Sequence, residues 1–280
     1  MKFKHLIIVF SIIILIIILV TALLPMMLTG PDFTVSFRFL TLPLLIFMVL
    51  LLVCMGIFFF YNYRLLSLLE REDWPALAYY LEQKIYVKRK YNARYVRLLA
   101  SSYLVISDFN SVIKLESKAM LVKPSVVDKN VLIFGAARIL SNNQAEATAF
   151  FKTYMEKGKL KEKDSQWVRW FYGFSQLLAG SFNLAQPEFT TLAVSSGDAV
   201  ITGLCAYFLE NTIIKNLENP AGCQAAAGCQ AAAKSGKDRV IQVIKNQENW
   251  NKEVEKISGE IHVAIIRKYI DEAGKWLFNN

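Results

Sequence analysis

Apolar residues along the chain follow two different patterns. From Leu6 to Leu28, and again from Phe39 to Tyr61, they run almost unbroken: Ser11 and Thr21 are the polar exceptions in the first stretch, and the second carries no charged residue. About 20 such residues at 1.5 Å rise cross the roughly 30 Å hydrocarbon layer of a bilayer. Each stretch therefore predicts a spanning helix. The Thr29-Gly30-Pro31-Asp32 group between them favours a turn, so the pair predicts a helical hairpin. Beyond Tyr61 apolar positions recur at helical spacing, Gly and Pro are sparse, and no alternating run suggests a sheet. The expectation there is all α.

A secretory signal is the rival for the first stretch, because Lys2 and Lys4 precede it. Signal cores are about 7 to 15 residues long and end at a small-residue cleavage site. This run is longer and continues into Leu23-Leu24-Pro25-Met26-Met27. Orientation follows from the basic flanks, since cytoplasmic ends keep an excess of Lys and Arg. Lys2 and Lys4 precede the first span, Arg38 lies between the two, and Arg64, Arg71, Lys84, Lys88, Arg89 and Lys90 follow the second. An integral protein of a bacterial inner membrane with both termini cytoplasmic is expected.

The region after Tyr61 has a period. Asp73-Trp74, Asp108-Phe109, Asn143-Gln144 and Ser181-Phe182 begin similar patterns at intervals of 35, 35 and 38 residues, followed at the same helical steps by Leu77 and Leu81, Val112 and Glu116, Ala147 and Phe151, and Ala185 and Phe189. Such a period predicts paired helices. No Gly or Pro separates the second span from the first of them, so those two predict one continuous helix.

At these spacings the chain resembles the tetratricopeptide repeat family, whose unit is a pair of antiparallel helices stacking into a solenoid. Leu99, Ala100, Tyr103, Asp108, Phe109, Ala119 and Pro124 carry the likeness in the second unit, although Val112 and Glu116 stand where the family has Ala and an aromatic. Gly135, Ala147 and Phe151 carry it in the third, and Gly173, Gly180, Phe182, Ala185 and Phe189 in the fourth. Small residues such as Ala100, Gly135 and Gly173 would let helices approach closely, with Phe151 and Phe189 filling the gaps.

The expected fold is thus all-α. It has a two-helix transmembrane hairpin (residues 1–62), a tetratricopeptide-like α-solenoid of about four helix pairs (63–218), a low-complexity loop (219–236) and C-terminal amphipathic helices (237–280). The loop is predicted from Asn219-Pro220-Ala221-Gly222 and a hexapeptide, Gly-Cys-Gln-Ala-Ala-Ala, that occurs twice. Trp250, Val254, Ile257, Ile261 and Ile265 form one stripe on a final charged helix, expected to cap the solenoid.

Chemistry has little to stand on. The four cysteines suggest neither a disulfide framework nor a metal site, since Cys223 and Cys229 lack the usual ligand gap and a nearby His. No nucleophile motif or phosphate-binding loop is present, so neither an enzyme nor a cofactor is expected. Glu70, Glu72 and Asp73 read as a charged helix end. The net charge of +9 is uneven: residues 84–123 hold nine Lys or Arg against two acids. Such a segment beside a membrane suits anionic lipid, with Lys84, Lys88, Arg89 and Lys90 the expected contacts, or serves as a topology signal and solvated helix face. Nucleic acid is not expected, for want of a recognisable module.

The tetratricopeptide resemblance also implies a ligand-binding concave face lined by the first helix of each pair. Carried over, that gives Arg94, Arg97, Ser101 and Leu104, then Lys129, Leu132 and Ala136, then Trp167, Trp170 and Phe174. A groove basic at one end and aromatic at the other suits a peptide with acidic residues and an apolar anchor. The competing expectation is that Trp167 and Trp170 pack between repeats or against the last helix. The expected function is a membrane-anchored scaffold or adaptor that recruits a protein partner, within an envelope, secretion or motility assembly. The alternatives are a lipid-contacting, membrane-organising protein acting through its basic face, and the same adaptor facing away from the cytoplasm.

Overall fold

A computed structural model describes residues 9–20, 34–158, 160–217 and 222–278. The protein is all-α, 86% helical with no strand among the described residues. It divides into two compact units, Met1–Tyr80 and Leu81–Asn280.

In the first unit, α1 covers Val9–Val20 and α2 covers Thr34–Glu70. The remainder of the first apolar run and the expected Thr29–Asp32 turn lie outside the described residues. Among the described residues one stretch, Ile46–Glu70 (25 residues), is long and apolar enough to cross a membrane. It carries no charge from Ile46 to Tyr63, and Ile46, Phe47, Leu50, Val53, Ile57 and Phe60 are all exposed. Leaving each such side chain in water forgoes about 1.5–3 kcal/mol of burial, whereas hydrocarbon accepts them without loss. Continuity past Tyr61 is as expected, for α2 runs unbroken to Glu70.

The helix-to-helix turns share one construction. After α2, Glu72 adopts the left-handed conformation (φ 54°). The Glu72 and Asp73 amides donate back to the carbonyls of Leu69 and Leu68, both at 3.2 Å. Asp73 Oδ1 then accepts the Ala76 amide at 3.1 Å, opening α3 (Trp74–Glu82). The arrangement recurs between α4 (Ala93–Val105) and α5 (Phe109–Val122), with Ser107 at φ 60° and Asp108 capping the Ser111 amide at 3.1 Å. It recurs between α7 (Val131–Leu140) and α8 (Gln144–Lys157), with Asn142 at φ 59° and Asn143 capping Glu146 at 3.2 Å. Between α9 (Glu162–Leu178) and α10 (Phe182–Ser195), Gly180 takes the left-handed position at φ 73° and Ser181 the cap position, where its side chain makes no capping bond. Each turn stops one helix with a left-handed residue and starts the next with a short polar cap, so the chain reverses within a few residues. The four cap positions are those that set the sequence period.

In the second unit α4 packs on α5, α7 on α8 and α9 on α10, and these pairs adjoin through α5–α7 and α8–α9. The short α6 (Pro124–Asp128) joins the first two pairs. First helices also touch one another in order, α4–α7, α7–α9 and α9–α11 (Ala199–Phe208). Close approach explains the small residues. A Cβ on Gly135 would lie 2.1 Å from the Phe151 ring, and one on Gly173 would lie 3.2 Å from the Phe189 ring.

Two expectations fail beyond α11. The stretch expected as a loop (219–236) is helical from Gly222 onward. After α12 (Ile214–Asn216) comes α13 (Gly222–Ile244), laid against α10 and α11. Ala is the best helix former, and the small residues Cys229, Ala232, Ala233 and Gly236 form one face that fits a tight interface. Cys229, Ala232, Ala233 and Gly236 are buried there, and a Cβ on Gly236 would meet Ala206 Cβ at 3.2 Å and the Ala193 carbonyl at 3.3 Å. The expected single final helix is three, α14 (Gln247–Ile257), α15 (Ile261–Ile265) and α16 (Arg267–Phe278), broken first around Ser258-Gly259. Trp250, Val254 and Ile257 are buried as the stripe predicts, but after the break the buried residues are His262, Val263, Ile266, Ile270, Ala273, Gly274 and Leu277, with Ile261 and Ile265 half-exposed.

Candidate partner-binding face

The ten residues carried over to a binding face lie on α4, α7 and α9 and in the turn before α7. Arg94, Arg97 and Lys129 are exposed, and Ser101 and Leu132 half-buried. Leu104, Ala136, Trp167, Trp170 and Phe174 are buried. This corrects the aromatic end of the expected groove. Trp170 stacks on Phe174 at 4.9 Å and meets Phe171, Phe189 and Phe208 edge-on or tilted, while Phe174 also meets Tyr269 of α16 at 5.5 Å. These rings form core, and a partner cannot reach them. Their size drives the burial: such aromatics remove roughly 150–250 Å² each from water.

What covers them is the chain itself. α15 packs against α7, and His262 sits 5.2 Å from the Trp167 ring and 6.0 Å from Phe171. Glu260, just before α15, pairs with Arg97 at 3.4 Å across 163 residues of sequence. Asn130 fixes this corner from beneath. Its amide donates to the carbonyls of Ala93 (3.2 Å) and Val126 (2.8 Å), and its oxygen accepts from Arg97 Nε at 3.3 Å. The C-terminal segment therefore lies along the first-helix face, where capping of the array's end was expected. Burial, with Arg97 and Lys163 nearby, pushes the His262 imidazole down to about 3, so it is neutral in its seat.

The expected lipid contacts stand on a turn. α3 opens into a wider helical turn, Gln83–Val87, closed by the Lys88 amide donating to the Gln83 carbonyl at 3.1 Å. Arg89 is left-handed (φ 50°), and the Lys90 amide returns to the Lys84 carbonyl at 3.2 Å. Lys88, Arg89 and Lys90 are thereby exposed in succession, with Lys84 half-buried.

A buried charge cluster escaped the sequence reading. Arg138 on α7 donates to Glu116 (2.6 Å), Glu146 (3.1 Å) and the Phe134 carbonyl (3.1 Å), and lies 4.2 Å from the Phe150 ring. Burial pushes the Glu116 carboxyl up and Arg138 pulls it back, the balance expected of a desolvated ion pair. The signal was present: Glu116 stands where the repeat elsewhere carries Phe151 and Phe189. Among the described residues no group of three or more His, Cys, Asp or Glu could hold a metal ion.

An "Uncharacterized protein" of Treponema pallidum (strain Nichols) is 28% identical over 236 residues, covering 84% of this chain and 74% of that protein. The family model described as "Uncharacterised Treponema protein" matches residues 111–279, which include the Arg138 cluster, the aromatic core and the C-terminal segment seated on it. As this match spans more than half of the chain, the protein belongs to that Treponema family.

Proposed function

We propose that the protein is a membrane-anchored adaptor whose tetratricopeptide-like stack of helix pairs recruits a protein partner, binding rather than transforming it. The anchor in this reading is a transmembrane hairpin in the bacterial inner membrane with both termini cytoplasmic. The helical domain serves an envelope, secretion or motility assembly. The observation that carries the reading is the seating of α15: the row of first helices accepts a helical segment with the Glu260 carboxylate against Arg97 and the neutral His262 ring against Trp167. A face that takes one such segment has the chemistry for another, and Arg94, Arg97, Ser101, Lys129 and Leu132 stay accessible around it.

Co-purification from solubilised membranes tests this. Arg94→Glu combined with Lys129→Glu should lose a protein that the unaltered chain retains, at unchanged helix content, because both side chains are exposed. Retention at the original level contradicts the proposal. The alternative, a lipid-contacting role for the basic segment, is supported by the exposed run Lys88-Arg89-Lys90.

A further inference from the structure

Residues 84–123 hold nine basic residues and two acids, and neither acid forms an ion pair with a basic residue of this stretch. Asp108 is taken up capping α5, and Glu116 is buried against Arg138. Glu82, just upstream, accepts the Tyr103 hydroxyl. Lys88, Arg89, Lys90, Lys114, Lys118 and Lys123 all face solvent, and Lys118 Nζ lies 4.2 Å from the Tyr86 ring, which ties the C-terminal end of α5 to the turn Gln83–Lys90. Large apolar side chains stand among these charges. Val87 is 69% exposed beside Tyr86, and Leu121 (87%) and Val122 (58%) follow Lys118 by one helical turn.

We propose that the exposed apolar side chains Val87, Leu121 and Val122, together with the exposed Lys88, Arg89, Lys90 and Lys123 next to them in the chain, dock on an anionic lipid bilayer. Exposed aliphatic side chains flanked by unneutralised lysines match the interface between headgroups and acyl chains. The apolar side chains enter the boundary region and each nearby cation is attracted by about 1 kcal/mol. A solvated helix face would carry its lysines without Leu121 and Val122 outermost. The proposal deepens the lipid-contacting alternative and rests on the reading of the chain as membrane-anchored.

The test uses the full chain with Leu121→Cys, and with Cys54→Ser and Cys223→Ser to remove competing thiols; Cys205 and Cys229 are buried. Reconstituted in phosphatidylglycerol-containing nanodiscs, the thiol introduced in place of Leu121 should react with a water-soluble maleimide several-fold more slowly than in phosphatidylcholine discs. The protection should disappear in about 1 M salt, where the screening length is about 3 Å. It should also disappear in chains that further carry Lys88→Glu, Lys90→Glu and Lys123→Glu, whose melting curves report that the fold is intact. Equal rates in the two discs overturn the proposal, as does protection by RNA without protection by phosphatidylglycerol. If the chain fails to stay in discs at all, the anchoring reading fails separately. Flotation with phosphatidylglycerol vesicles then decides the surface, binding supporting it and absence of binding overturning it.

Discussion

Trp250 lies between two glycines, and neither position has room for a methyl group. A Cβ on Gly203 would come within 2.8 Å of the indole, and one on Gly274 within 2.5 Å of its Nε1. The indole is fully buried and rigid, so it has nowhere to go. Gly274→Ala should therefore destabilise the domain by about 1–3 kcal/mol in thermal or denaturant unfolding, against the usual gain from Ala in a helix. His262 gives a residue-scale prediction of a different kind. Folded, its imidazole takes a proton only near 3, whereas its ordinary value is 6.5. Between those limits the unfolded chain binds the extra proton. Stability from this group is complete above 6.5 and falls as pH drops through that value toward 3, with about 2 kcal/mol lost at pH 5. Melting curves at pH 7 and pH 5 should show a smaller drop for His262→Leu than for the unaltered chain.

At the level of elements, local chemistry was legible and long-range fit was not. Asp73, Asp108, Asn143 and Ser181 announce the helix starts because a cap acts within three residues of itself. The left-handed Glu72, Ser107 and Asn142 were less visible, being residues that carry a conformational penalty Gly would avoid. Since Asp108 caps Ser111 and Ser181 makes no such bond, Asp108→Ala should lower stability by about 1 kcal/mol and Ser181→Ala by clearly less in the same unfolding assay. The duplicated Gly-Cys-Gln-Ala-Ala-Ala read as loop because its repetition looks like low complexity. What makes it α13 is the surface of α10 and α11, whose close approach admits only small side chains. The Glu116 departure was visible, but its partner Arg138 lies 22 residues on and gave no local sign. The same holds for α15: helical spacing carried one stripe through Ile265, but the break at Ser258-Gly259 rotates a different set inward.

At the scale of the whole molecule, the chain combines a segment apolar enough to cross a membrane with helical hairpins whose first-helix face is partly covered by its own C-terminal segment. That cover lies over Trp167 and Phe174 through His262 and Tyr269, while Trp170 is core through Phe189 of α10 and Phe208 of α11. It also confines the proposed recruitment to the exposed basic margin around Arg94, Arg97 and Lys129. The seat of α15 could not be read from the sequence, because Arg97 and Glu260 meet across 163 residues. Photo-crosslinking in intact membranes tests the recruitment claim most directly, with a photoreactive residue placed at Lys129 or Leu132 on the first-helix side and, separately, at Lys152 or Thr153 on the exposed side of α8. A discrete protein adduct is expected from Lys129 and Leu132 and none from Lys152 and Thr153. Adducts of equal yield from both sides, or from α8 alone, would contradict the recruitment claim.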